Sequence, residues 1–180
     1  FERLVELAEL IGVAVWDVNS ALCFPNRHPL NLSMDTASLA GADAILALDV
    51  VDWEKATANL DSTTRQVGSF LADDCDWMEV GFHETGISSW SLDYGRYLPK
   101  RLSALGDPRL VMPQMTAIAK ERLADDPALA DRVERRKTTI AARHTENFAQ
   151  WAAEAQVDRD ASPLTTARLA AEVWEVIREE

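Results

Sequence analysis

The sequence predicts an α/β fold built on a parallel sheet, and three observations predict it. Helical and strand-like segments alternate over residues 1–126 at the spacing of β-α-β units. AILALDVV at 44–51 is apolar without interruption until Asp49, as in a central parallel strand covered on both faces. The chain has 180 residues, 47% hydrophobic and 27% charged, values ordinary for a folded domain. A chain of this length buries roughly 70% of its unfolded surface, enough for one core.

The elements follow in order. Residues 2–11 set Leu4, Val5, Leu7, Ala8 and Ile11 on one helical face, and Gly12 closes that helix. VAVWDV at 13–18 is short, apolar and β-branched, which predicts a buried strand. NSALCFPNRHPLNLSM at 19–34 is a loop stiffened by Pro25 and Pro29. Asp35 caps a short helix running to Leu39 and Ala40. After the strand at 44–51, further strands are expected at Met78–Phe82, at Ile87–Leu92 and, as a short edge element, within 101–107. Pro113 is expected at the first position of a helix of about three turns.

The character of the chain changes at Pro127. Residues 128–154 read as one long helix with Leu129, Val133, Ile140, Phe148, Trp151 and Ala152 as its apolar members. The charges from Lys120 to Arg143 read as a solvated face, and His144 as a surface residue. QVDRDASP at 156–163 is a polar linker, and Thr165 or Thr166 caps a last helix with Leu169, Ala170, Val173, Trp174 and Ile177 on one side. The division is therefore 1–126, 127–163 and 164–180. An uncapped helical end and a first residue other than Met give the expectation that both ends are cut.

Eighteen basic against thirty acidic side chains leave a net charge of −12, concentrated between Asp35 and Glu84. Such a surface repels phosphate backbones, which argues against nucleic acid as a partner. No run reaches the roughly 20 apolar residues of a membrane span, and the opening FERLVELAEL is neither signal nor transit peptide. Cys23 and Cys75 lack metal-binding spacing and read as structural thiols of a reducing, cytoplasmic compartment.

Few motifs carry chemistry. No glycine-rich phosphate loop exists among the seven glycines, and GISSW at 86–90 is no nucleophile elbow. His83 beside Glu84 suits proton transfer in principle, yet nothing else marks a site there. Asp73, Asp74 and Asp76 read as a solvated turn rather than a cation loop. Trp16, Trp151 and Trp174 fit core spacing, whereas Trp53 and Trp90 stand at strand ends where an interface would cover them. FPNRHPLNL at 24–32 holds Asn26, Arg27 and His28 between two prolines, either as a rigid connection or as an element reaching a substrate or another domain. Parallel sheets bind ligands beyond the carboxyl ends of their strands, here near Asp17–Ser20 and Asp49–Trp53.

LAELIGVAVWD, FPNRHPLNL and GADAILALDV, in this order, resemble the Rossmann-like central domain of thiamine diphosphate-dependent enzymes, nearest the acetolactate synthase and benzoylformate decarboxylase group. Pro25, His28, Pro29 and Leu30 match that family's P-x-x-H-P-L loop, and Ala42, Asp43, Leu46, Ala47 and Leu48 match its next strand. Gly106-Asp107 followed by a helix resembles the family's last central strand, and SPLTTARLAAEVWEVI its entry into the pyrophosphate domain. The resemblance implies a portion of a homodimeric or homotetrameric parent that forms or cleaves C–C bonds next to the carbonyl of a 2-oxo acid. It also implies thiamine diphosphate and Mg2+ in that parent, held by residues outside this chain.

The family's activating glutamate and its GDG…Asn metal motif have no counterpart here. Asp49, Val50, Val51 and Asp52 stand where synthase relatives carry glycine and a flavin-contacting arginine stretch, which counts against FAD. Asp49 and Asp52 remain the candidates for contact with a nucleotide such as ADP, through a ribose hydroxyl. Three readings result: a non-catalytic central domain of such an enzyme, a small nucleotide-binding module, and an oligomerisation unit built on the 128–154 helix.

Overall fold

The computed structural model describes residues 1–17, 22–50, 56–82, 99–157 and 159–178. Val18, Asp52, Trp53, His83, Glu84, the 86–90 stretch and the expected strand at Ile87–Leu92 lie outside the described residues.

Helix α1 spans Glu2–Ile11 and ends at Gly12, whose φ of 60° is the left-handed conformation that releases a helix end. A Cβ there would stand 2.9 Å from Val133 O and from the Val133 and Lys137 side chains. Glycine is therefore needed both for its backbone angle and for close approach to the long helix. Arg136 fastens the junction from that helix, its Nε donating to Gly12 O at 2.6 Å and its Nη2 to Ile11 O.

Over its described residues 13–17, the strand expected at 13–18 is not a regular strand. Val15 makes a single parallel bridge with Asn31, donating to Leu30 O and accepting from Leu32 N–H. The loop folds back beside this segment and inserts its own apolar residues. Phe24, Leu30 and Leu32 join Ala8 and Ile140 in the core, with Leu4, Val5, Val13 and Val15 packed around them. Helix α2 (Thr36–Leu39) follows, with Asp35 as its cap.

Strands β1 (Ala44–Leu48), β4 (Asp76–Gly81) and β5 (Leu102–Leu105) form a parallel sheet in the order β1-β4-β5. The α/β class with a parallel sheet is thus as expected. The position of β1 is not. Among the described residues it stands at the side of the sheet, with Ala47 as its one buried residue, and β4 takes the central place. Between them β2 (Ala58–Leu60) and β3 (Val67–Ser69) pair antiparallel, a hairpin whose strands are too short to register as apolar patterns. Asp61 builds its turn by accepting the N–H groups of Thr63 and Thr64.

Helix α3 spans Pro108–Asp125, capped by Asp107, so the proline that opens it is Pro108 and not Pro113. Pro113 stands inside the helix and has no N–H for the carbonyl of Arg109. Arg3 Nη1 donates to that freed oxygen at 2.7 Å, tying α1 to α3. Helix α4 spans Pro127–Glu154 and α5 spans Thr166–Ile177, the latter capped by Thr165. No residue of α5 is buried, although its apolar spacing is that of a core helix. No helix among the described residues is long and apolar enough to cross a membrane.

Candidate functional site

The candidate loop is an anchored element, held from three sides. On the α1 side, Leu30 N–H donates to His28 Nδ1 at 3.2 Å, so Nδ1 is an acceptor and Nε2 carries the hydrogen. Nε2–H then donates to Glu9 Oε1 at 3.1 Å, and Phe24 packs edge-on against the ring at 4.8 Å. On the α4 side, His144 Nδ1–H donates to Asn31 O at 2.8 Å. His144 is thus not a free surface residue. Asn31 spans the loop internally, its Nδ2 donating to Pro25 O and its Oδ1 accepting from Ser33 N–H.

The strongest anchor is Asp35, which is 7% exposed. Its carboxylate accepts Arg143 Nε at 2.7 Å, Arg143 Nη2 at 3.2 Å and Asn147 Nδ2 at 2.9 Å. It also accepts Ser38 N–H at 3.3 Å as the cap of α2. The Arg143 hydrogen bonds hold the Asp35 carboxyl below its ordinary range, against the opposing effect of burial. Arg143 and Asn147 stand one helical turn apart, and with Ile140 they form the inner face of α4. The expected solvated face of α4 is in this part a binding face for the loop.

The third side is α5. Arg27 lies over the Trp174 ring with its guanidinium carbon 4.5 Å from the centroid, a cation–π contact joining loop and helix. Of the three loop candidates, Arg27 and His28 are therefore engaged within the chain, and Asn26 is exposed. Cys23 is exposed rather than buried. Partial desolvation of its sulfur and then the neighbouring Asp17 charge raise its pKa, so it is not an activated thiol. Asp17 accepts Cys23 N–H at 2.8 Å through Oδ2, while its buried Oδ1 has no partner among the described residues.

Asp49, the described member of the nucleotide pair, closes the end of the sheet. It adopts a φ of 52°, donates its N–H to Val80 O at 2.8 Å, and turns its Oδ1 to accept Phe82 N–H at 3.3 Å. A Cβ on Gly81 would stand 3.1 Å from Asp49 Cα, so Gly81 makes room for this cross-strand turn. One carboxylate oxygen is thus committed to the backbone of β4. His28 bonds to α1 and Arg27 stacks on α5, whereas Asp49 bonds to β4, and among the described residues no hydrogen bond joins the two groups.

No family model, curated protein or solved structure matches this chain. The site is read from its own geometry.

Residue patterns mark Asp17 as part of a strand end and miss one other part of the polar interior. Glu79, 2% exposed on β4, pairs with Lys100, and its Oε1 has no partner among the described residues. A carboxylate between the apolar residues Met78 and Val80 was the available signal.

Proposed function

We propose that this chain is the central α/β domain of a thiamine diphosphate-dependent enzyme acting on 2-oxo acids. Its role is to space and orient the catalytic domains of a homodimeric or homotetrameric parent. The observation that carries this reading is the construction of the Pro25–Leu32 loop. Its apolar residues enter the core and its polar residues bond to α1 and α4, as befits a scaffold element. Arg27 continues the scaffold by bracing Trp174, so that the start of the following region is held against the loop.

Among the described residues no group of three His, Cys, Asp or Glu side chains is placed to hold a metal ion. The described side chains therefore do not fit a Mg2+–diphosphate group, and no catalytic step is assigned to them. The nucleotide-binding alternative asks Asp49 for a ribose contact, and its Oδ1 is already occupied by Phe82 N–H.

A chimera tests the proposal. The chain replaces the central domain of a well-behaved 2-oxo acid decarboxylase, and the product is assayed for folding, thiamine diphosphate binding and decarboxylation. A folded chimera that binds the cofactor and turns over substrate is expected. A folded chimera that cannot bind it overturns the reading. In the chain alone, titration with thiamine diphosphate and Mg2+ is expected to release no heat beyond dilution. A thermal shift with ADP that Asp49→Ala abolishes would favour the nucleotide module instead.

A further inference from the structure

We propose that the cleft between the end of α4 and α5 binds a free α-amino acid, its carboxylate on Arg168 and Arg159 and its ammonium group on Glu172. The cleft is a cavity of about 300 Å³, at the small end of the range for ligand sites. Arg168, Ala171, Glu172 and Glu175 form its α5 wall, because residues three and four apart share one helical face. Ala155 and Arg159 line it from the end of α4 and the linker.

The carboxylate position rests on a donor without an acceptor. Arg168 Nη1 donates to Arg159 O, which holds the guanidinium by one end. Nε and Nη2 lie on the other side, as the fork that suits a carboxylate. Nε is buried and has no hydrogen-bond acceptor among the described residues. Glu172 Oε1 stands 3.7 Å from it, too far for a hydrogen bond, and 3.5 Å from Arg159 Nη2. Two guanidinium groups thus share one distant oxygen. Arg159 is steadied by its Nη1, which donates to Gln156 Oε1 at 3.1 Å. A buried N–H without an acceptor is costly, so a carboxylate that reaches Nε gains what Glu172 does not supply.

Charge and size select among carboxylates. Glu172 and Glu175 add negative charge to the same wall, and the whole chain carries −12, which disfavours a phosphate or a dicarboxylate. The same glutamates favour a ligand that brings a cation with its carboxylate. Glu172 follows Arg168 by one helical turn, so that cation must lie close to the carboxylate, as the ammonium of an α-amino acid does. Glu175 pairs with Arg178 at 2.9 Å, an exposed pair that competes weakly for it. Ala155 and Ala171 offer methyl groups to a short apolar side chain. None of these residues belongs to the loop or to the sheet, so the site is independent of the role proposed for the chain.

The probe is L-alanine, titrated into the isotope-labelled chain at constant ionic strength while NMR follows the arginine Nε–H and amide signals. Saturable shifts of Arg168 Nε–H and of the Ala171 amide are expected at millimolar alanine, a range that a ligand of this size can reach. Acetate and methylammonium, each with one of the two charges, should bind at least about tenfold more weakly. Arg168→Lys keeps the charge but loses the fork, and should weaken alanine about fivefold. Glu172→Gln should weaken alanine and strengthen acetate, each about threefold, a reversal that a merely structural glutamate would not give. No residue of α5 is buried, so both variants are expected to keep the wild-type circular dichroism. If one of them loses helix, Ala171→Leu decides, because it fills the cavity with a good helix former and should abolish alanine binding. Acetate or phosphate binding as tightly as alanine overturns the proposal. So does a titration in which alanine leaves Arg168 Nε–H unmoved.

Discussion

Helices α4 and α5 are both amphipathic, yet they stand in opposite relations to the rest of the molecule. α4 buries Val133, Ile140 and Asn147 and grips the loop through Arg143 and His144. α5 buries nothing, leaving Leu169 at 52% and Ile177 at 51% exposure, and meets the loop through the Arg27–Trp174 contact. The difference teaches that apolar spacing predicts a helix and its inner face, while polar residues on that face decide where it is fixed. Asp35, Asn31 and Gly12 give α4 three chemically distinct places to hold. α5 has one.

The sharpest break between the two helices is a pair of truncations. Ile140→Ala is expected to cost about 3 kcal/mol, and Leu169→Ala less than about 0.5 kcal/mol. Denaturant midpoints measure both, and equal losses would mean that α5 is packed as α4 is. Next in size is Asp35→Ala, which removes a helix cap and strands Asn147, at about 2–3 kcal/mol near neutral pH. The Asp35 carboxyl is held below its ordinary range, so its contribution is complete above about pH 4. It fades as pH falls through the lowered folded value. The stability gap between wild type and Asp35→Asn should therefore be constant from neutral pH to the ordinary carboxylate range, and close below it. Gly12→Ala should cost about 2 kcal/mol, from the left-handed backbone and the overlap with Val133. Heat denaturation of that variant tests it, and a loss below a few tenths would mean that α1 does not rest on α4 as described. Smallest is Arg27→Ala, expected to cost about 0.5–1 kcal/mol and to speed hydrogen exchange in α5 while leaving α4 amides unchanged.

Local chemistry was legible in the residues. Gly12 ends α1 through its left-handed backbone, Asp35 and Thr165 begin helices through their side chains, and β4 and β5 fall close to the apolar runs expected of them. Relations over long sequence distance were not. The Asp35–Arg143 pair joins residues 108 positions apart, and no helical period announces it. AILAL is as apolar as a central strand, but sheet order depends on which strands pair, and among the described residues β1 pairs with β4 alone. Pro113 and Pro108 carry the same helix-start signal, and Asp107 as the cap decides between them. In the candidate site, residue types marked Arg27, His28 and Asp49 as polar groups in useful places. Their direction is set by Trp174, Glu9 and Phe82, which the chain brings together only on folding.

Pro113 is usually the kind of residue counted as a fault in a helix. Here the fault is a socket. By silencing one amide it leaves the Arg109 oxygen free, and Arg3, 106 residues away in sequence, plugs into it. Replacing the proline with alanine restores a donor to the helix and makes it compete with that plug. The substitution that mends α3 is then the one that loosens its hold on α1.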